Sequence, residues 1–236
     1  MVVFSFVPTA KRGFFVSSFS SRSSTCLPPL LDATIKNTNE AGEDICYVSV
    51  GLDGSYFLGT QKRNNHYGYT NFPPLLTLFE AASASSPGTF SSDSVRWISF
   101  TPDHKGYFMC FVLADQKPLY AWACLPESLN KILEGNAIED NDVLNFVSFG
   151  KDGSWVLTIE GKKPMWDGVP KDLEERLRGS DTIATVALAL DAEDEYFMEY
   201  EDGGIWMIIP KEWHRTVKPH LDDKGAIEQI NVCLIL

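Results

Sequence analysis

Large aromatic side chains recur at one position in the chain and are the residues best suited to binding a ligand. Trp122, Trp166 and Trp206 each stand four residues before a proline that follows an apolar residue. Tyr69 holds the same position in an earlier copy, and Ser24 holds it in the first. Exposed aromatic faces can stack on sugars, whereas buried ones pack between structural units. Packing is the favoured interpretation, and the alternative is a carbohydrate site. Its candidate ligand-binding residues are Tyr69, Trp122, Trp166 and Trp206.

The titratable side chains do not form a metal-binding motif. The four histidines are scattered over His66, His104, His214 and His220. The last two form a local cluster only with Asp222 and Asp223, and solvated helix and loop positions explain that cluster more simply than a metal does. The acidic turns at 139–142 and 191–195 lack the spacing of a calcium loop. We therefore expect neither a metal nor a cofactor.

Nucleophilic catalysis would require a nucleophile beside a base. The candidate nucleophile is Cys233, but it lies in the apolar run INVCLIL, which favours a buried and inert thiol. The chain also lacks a Gly-rich phosphate loop and a Gly-x-Ser-x-Gly motif. The sequence therefore favours a non-catalytic protein and leaves an enzyme possible only through a site that loops build in space.

These side chains lie on a repeat that occurs five times. Its clearest copy, residues 146–179, opens with an apolar strand, turns at Asp152-Gly153 and resumes at Trp155. An Asp-Gly pair supplies the positive φ angles of a tight hairpin turn. A third short strand follows, and an apolar-Pro pair then leads into a helix that stops at Gly179.

The copies divide the chain into units of one repeat domain, 1–236. The apolar-Pro pair recurs as Leu27-Pro28, Phe72-Pro73, Leu125-Pro126, Val169-Pro170 and Ile209-Pro210. An apolar residue stands three positions after each of these prolines, at Leu31, Leu76, Leu129, Leu173 and Trp213. The units span about 1–41, 42–93, 94–141, 142–181 and 182–225, and a closing strand covers 226–236. In unit two, residues 63–69 are predicted as a loop and residues 80–94 as a surface insertion.

The repeat predicts an all-β fold. Each unit is too small to bury its own apolar face, so neighbouring units must stack. Repeats of roughly 40–50 residues, each with three antiparallel strands plus a short helix at the blade edge, predict a five-bladed β-propeller. The strand at 226–236 would pair with an N-terminal blade and remove an unpaired edge. The alternative architecture is a pentein-like α/β propeller. It ranks second because the turns between the strands are too tight for the crossover connections that parallel strands need.

Charge and composition limit the partners. The formal net charge is −12, and residues 134–204 carry 18 acidic against six basic residues. This excess argues against nucleic acid and against an anionic membrane, and a solvated face explains it more simply than an acidic docking site. The sequence shows no apolar run of membrane-spanning length, and we do not expect its first residues to act as a secretory signal. Five cysteines without a Cys-x-x-Cys pair favour a reducing compartment, so we expect a cytoplasmic protein.

In length and in the number of its repeats, the chain resembles five-bladed propeller lectins of the tachylectin-2 type. Those lectins also end in a strand that closes the ring. The resemblance is architectural and covers the whole chain. The Gly-Gly-Trp and Asn-Trp elements of the lectin repeats are absent here, so the resemblance implies no sugar-binding residue.

The first functional hypothesis is a non-catalytic binding or scaffold propeller that presents loops to a protein partner. The second is a carbohydrate-binding lectin with repeated equivalent sites, so the expected partner is a protein or a glycan. The third is an enzyme with its site at the mouth of the central channel. The sequence leaves the oligomeric state open. Repeated shallow pockets, one deep polar pocket or a flat patch would separate the three hypotheses.

Overall fold

The computed structural model describes residues 3–8, 12–17, 22–63, 65–77, 80, 92–103, 105–112, 117–135, 138–139, 142–179 and 183–222. These residues form five three-stranded sheets in which consecutive strands pair antiparallel. Sheet 1 contains β1 (Val3–Val7), β2 (Gly13–Ser17) and β3 (Arg22–Thr25), and sheet 2 contains β4 (Asp44–Val50), β5 (Tyr56–Lys62) and β6 (Asn65–Thr70). Sheet 3 contains β7 (Val95–Phe100), β8 (Tyr107–Val112) and β9 (Pro118–Ala123), and sheet 4 contains β10 (Leu144–Phe149), β11 (Trp155–Ile159) and β12 (Met165–Asp167). Sheet 5 contains β13 (Ile183–Leu188), β14 (Tyr196–Tyr200) and β15 (Ile205–Ile208).

Few helices accompany the sheets, so the expected all-β class is confirmed. The helices are α1 (Pro29–Glu40), α2 (Glu127–Glu134), α3 (Lys171–Gly179) and α4 (Lys211–Asp222). Residues 73–77 are helical as well, and short 3₁₀ turns cover Ser92–Ser94 and Lys151–Gly153. In the described part of the chain no helix is long and apolar enough to cross a membrane. The expected closing strand, 226–236, lies outside the described residues, as does most of the insertion at 80–94.

The tight turns between strands follow the sequence closely. Asp152 and Gly153 have φ angles of 57° and 79°, as the Asp-Gly pair predicts. The expected loop over 63–69 was wrong, because β6 begins at Asn65 and pairs with β5 through Thr70. Arg63, with φ 58°, turns the chain there without a glycine. Every described strand pair is antiparallel, so the parallel crossover of the α/β alternative is not found among these residues.

The helices pack their apolar residues into the clusters between neighbouring sheets. Leu31 of α1 is buried in one cluster with Tyr56 and Leu58 of sheet 2, and Leu173 of α3 is buried with Tyr196 of sheet 5. The first three helices therefore pack their apolar stripes against the sheet that follows them in the chain, and α4, the last helix, packs against sheet 1. This position buries Leu173 and Leu177, which lie four residues apart on one face of α3, in the same cluster.

Unit two departs from the expected helix register. Leu75 is fully buried, whereas Leu76, which the proline count had placed in the core, is 42% exposed. The reason is that the helical residues of this unit begin at Pro73 itself, whereas each other helix begins one residue after the corresponding proline. A helix that starts one residue earlier presents a different residue to the core.

The five sheets contact one another in a cycle through their first strands. β1 contacts β4, β4 contacts β7, β7 contacts β10, β10 contacts β13, and β13 contacts β1. Five buried apolar clusters follow the same order, each joining two neighbouring sheets. Sheets 5 and 1 meet through Phe4 and Phe197, whose rings stack with centroids 4.8 Å apart. The described ends of the chain are therefore held together by core packing.

Candidate functional site

The four candidate aromatic residues lie on third strands, but they do not share a face. Trp122 and Trp166 stand opposite the second residue of their middle strands. Tyr69 and Trp206 stand opposite the third. Since successive side chains of a strand point to opposite faces, one pair is directed toward the following sheet and the other toward the preceding sheet. The expected equivalence of the four positions is not found.

The four residues fall on different faces because they were aligned by counting back from the proline. The connection between the third strand and the helix, which this count crosses, varies in length. In sheet 3 the residue opposite the second middle-strand residue is Trp122, which precedes the buried Leu129 by seven positions. In sheet 5 that residue is Met207, which precedes the buried Trp213 by six. One residue less in the connection moves Trp206 to the opposite face of its strand.

The structure brings Trp166 and Trp206 together from opposite sides of the gap between sheets 4 and 5. Both pack against the same buried cluster. The guanidinium carbon of Arg176 lies 3.0 Å from the centroid of the Trp206 ring, so a cation covers this aromatic face. A sugar could stack there only by displacing Arg176.

A polar network borders this gap. Asp172 accepts a hydrogen bond from the Tyr196 hydroxyl and a 3.3 Å bond from Nε of Arg176. Burial acts to raise the pKa of Asp172, but these bonds to the carboxylate outweigh it, so the pKa is lowered. The network borders a shallow groove of about 410 Å³, which is lined by Asp172, Glu175, Arg176, Gly179 and Tyr200.

Tyr69 and Trp122 lie in two other gaps. The Tyr69 hydroxyl lies 3.1 Å from both carboxylate oxygens of the buried Glu43. Burial, together with that hydrogen bond, raises the pKa of Tyr69 to about 12. Trp122 stacks on Phe108 with centroids 5.6 Å apart and is itself 38% exposed. Of the four candidates, Trp122 alone combines a stacked ring with a large exposed surface.

The acidic turns hold basic side chains of neighbouring segments. Arg12 binds Asp191 at 2.7 Å and Glu195 at 2.6 Å, and Lys162 binds Asp142 at 2.8 Å. Carboxylates of both acidic turns are therefore engaged in ion pairs.

Two of the histidines lie within hydrogen-bonding distance of other residues. His220 is buried, with Nε2 2.7 Å from the Ser23 hydroxyl, and His214 lies 3.2 Å from the Ile209 carbonyl. His104, Asp223 and Cys233 lie outside the described residues. Within the described ranges, no group of His, Cys, Asp and Glu side chains could hold a metal.

A row of serines that the sequence reasoning missed lines a narrow central cavity of about 70 Å³. The first strands carry Ser5, Ser49, Ser99, Ser148 and Ala187 opposite the second residue of the middle strand, or the third in sheet 1. Ser99 donates to the Val147 carbonyl of sheet 4, and Ser148 accepts at 3.0 Å from the Leu188 N–H of sheet 5. A small polar residue repeated inside an apolar strand was the signal that could have identified this row.

A wider groove lies between sheets 3 and 4, and sequence reasoning missed it too. It has a volume of about 630 Å³ and is built from the β7–β8 turn, the segment 124–128, the β10–β11 turn and the end of β12. Its floor consists of half-buried Pro102, Leu125 and Pro126. Its rim carries the exposed acids Asp103, Glu127, Asp152 and Asp167, together with the exposed Cys124. The described lining residues include no Lys, Arg or His.

The groove shows no paired acid and base of the kind that proton transfer requires, because its described titratable residues are carboxylates and one thiol. Carboxylates above an apolar floor suit binding better than catalysis. Comparisons of the chain with protein-family models, with curated proteins and with solved structures find no match.

Proposed function

We propose that the five sheets are the blades of a closed five-bladed β-propeller. The cyclic contacts of the first strands support this arrangement, as do the five clusters that each join two neighbours. The row of serines around one narrow cavity supports it further, since equivalent positions on radially arranged strands converge at an axis. In this arrangement the groove between sheets 3 and 4 opens at one end of the ring.

We further propose that the chain is a non-catalytic cytoplasmic binding protein that presents this end to a protein partner. The observation that carries the proposal is the groove itself. Turns of two neighbouring sheets form it, its floor is apolar and its rim is charged. Protein interfaces commonly combine an apolar centre with a polar rim. Turns held by rigid sheets also need little reordering when they bind.

Two exposed cysteines permit a direct test. Cys124 lies at the groove, whereas Cys26 holds the corresponding position at the end of sheet 1, and both are exposed with φ angles near 50°. A bulky maleimide attached at Cys124 should abolish capture of specific proteins from the native cell extract. The same label at Cys26 should leave that capture unchanged. Mass spectrometry would verify which thiol carries the label. Identical capture by both labelled forms, or no specific capture by the unlabelled protein, would refute the proposal.

The exposure of Trp122 supports a second candidate, a glycan-binding protein. Its ring has one face stacked on Phe108 and is 38% exposed, which resembles the platform that a sugar needs. A glycan array with the purified protein tests this function. Binding that disappears in Trp122→Ala and persists in Trp166→Ala would establish it, and an array without any bound glycan would reject it.

A further inference from the structure

The rim of the groove between sheets 3 and 4 collects carboxylates from four separate segments of the chain. Asp103 comes from the β7–β8 turn, Glu127 from the start of α2, Asp152 from the β10–β11 turn and Asp167 from the end of β12. All four residues are exposed. Residues more than sixty positions apart in the sequence therefore direct the same charge toward one apolar floor.

The acidic rim belongs to this gap and is not a general property of the repeat. Between sheets 1 and 2, the position of Asp167 is held by Asn71 and that of Glu127 by Pro29. Only Asp53 matches an acid of the groove, at the position of Asp152. A fold-wide preference for acidic turns would have placed carboxylates at both sites. The gap between sheets 1 and 2 therefore lacks most of the charge that the groove between sheets 3 and 4 carries.

Two of the four carboxylates already have partners in the chain. Asp103 accepts hydrogen bonds from the N–H groups of Lys105 and Gly106, at 3.2 and 3.3 Å. Glu127 pairs with Lys131 at 2.7 Å, and both of these side chains are largely exposed. An exposed ion pair is weak and can exchange for a competing cation. Lys105, Gly106 and Lys131, which make these contacts, do not line the groove.

We propose that the groove binds a basic segment of the partner protein, with lysine or arginine side chains at the rim and apolar residues on the floor. This inference rests on the proposed function, because it specifies the chemistry of the partner at the same site. Charge complementarity selects the occupant: the described lining offers carboxylates and apolar surface and contributes no cation of its own. An acidic or neutral segment would leave the negative charges of the rim carboxylates uncompensated.

Short peptides of equal length test whether the groove binds a basic segment. They carry leucine and proline at fixed positions and differ only in having Lys, Gln or Glu between them. The Lys peptide should bind, and its affinity should fall as salt is added. On binding, it should slow alkylation of Cys124 by a small maleimide and leave alkylation of Cys26 unchanged. Mass spectrometry reads the two thiols separately in one sample, so Cys26 is an internal control.

Two matched pairs of substitutions test whether the rim carboxylates are responsible for binding. Asp152→Asn with Asp167→Asn removes two rim charges, and asparagine tolerates the φ of 57° at position 152. Glu160→Gln with Glu201→Gln removes the same charge from exposed turns at the other end of sheets 4 and 5. The Asn pair should weaken binding of the Lys peptide about tenfold, while the Gln pair should leave it unchanged.

The outcomes separate the two proposals. Equal binding of the three peptides, equal protection of the two thiols, or equal loss in both variant pairs would overturn the basic occupant. If the Cys124 label still abolished capture of a protein without a basic segment, the proposed function would stand and this inference would fail. If capture were indifferent to that label, the proposed function would fail as well.

Discussion

Trp155 illustrates how one side chain joins a helix to the next sheet. It is 1% exposed, and its indole Nε1 donates to the Ser128 hydroxyl of α2 at 2.9 Å. The equivalent Tyr56 and Tyr196 make the same kind of bond, the first to Thr34 of α1 and the second to Asp172 of α3. Aromatic residues that open the middle strands thus supply apolar area and a polar group for the neighbouring helix.

At this scale, the aromatic candidates should differ in their contribution to stability. Trp166→Ala should lower the free energy of unfolding by about 3 kcal/mol, because the ring packs on a buried cluster. Trp122→Ala should cost about 1 kcal/mol, because its ring is partly exposed. Urea unfolding followed by circular dichroism measures both. An unchanged midpoint for Trp166→Ala would remove the packing interpretation of that residue.

The lowered pKa of Asp172 should make stability depend on pH. A carboxylate whose pKa is lower in the folded protein contributes fully above its unfolded pKa of about 4. That contribution is lost as the pH falls through the lower folded value. We expect the urea midpoint to fall on acidification, and to fall less in Arg176→Gln. Arg178→Gln, which removes an exposed ion pair with Glu174, should keep the full decrease. Parallel pH curves for all three proteins would contradict this assignment.

At the scale of elements, the hairpins of sheets 1 and 3 require glycine where the middle strand starts. A Cβ at Gly106 would collide with the carbonyl oxygen of Cys124 and the side chain of Thr101, and one at Gly13 with the carbonyl oxygen of Thr25. The end of the third strand therefore lies against the start of the second. The repeat holds this position with glycine in sheets 1 and 3 and with larger residues, such as Ser154, in others.

Two glycine substitutions should therefore have opposite signs. Gly106→Ala should destabilise the protein by at least about 2 kcal/mol, because backbone atoms must move to admit the Cβ. Gly179→Ala, at the last residue of α3 with open space around it, should stabilise it by about 0.5 kcal/mol. Thermal and urea unfolding of the two variants provide the test. A neutral Gly106→Ala would show that the two strands lie further apart.

At the scale of the whole molecule, Arg12 joins the first and last sheets. Its guanidinium binds Asp191 and Glu195 together, across the seam where Phe4 stacks on Phe197. Arg12→Gln should cost about 1 kcal/mol, since the pairs are partly exposed. It should also accelerate amide hydrogen exchange in β2 and β14 relative to β5 and β8. Arg178→Gln is the control, and a uniform increase across all sheets would argue against a local seam.

Hairpins and helices could be predicted from local residue patterns. The Asp152-Gly153 turn and most strands and helices occur where the sequence places them. The exceptions lie in unit two, where β6 replaces an expected loop and the helix register differs. The faces of the third strands could not be predicted by counting from the proline. A change of one residue in the connection sends Trp206 to the face opposite that of Trp166. The side on which an aromatic residue packs depends on register, and register is a property of the paired strands.

The sequence by itself determined that five copies of one hairpin-and-helix unit must share their apolar faces, because no unit can bury its own. Only the tertiary structure decided that the first strands contact in a cycle and that the helices pack into the clusters between neighbouring sheets. It also decided that Asp103, Glu127 and Asp167 surround one apolar groove. Local patterns report the period of burial along a strand or helix. Which distant turns become neighbours depends on how the sheets pack, and no local pattern encodes that packing.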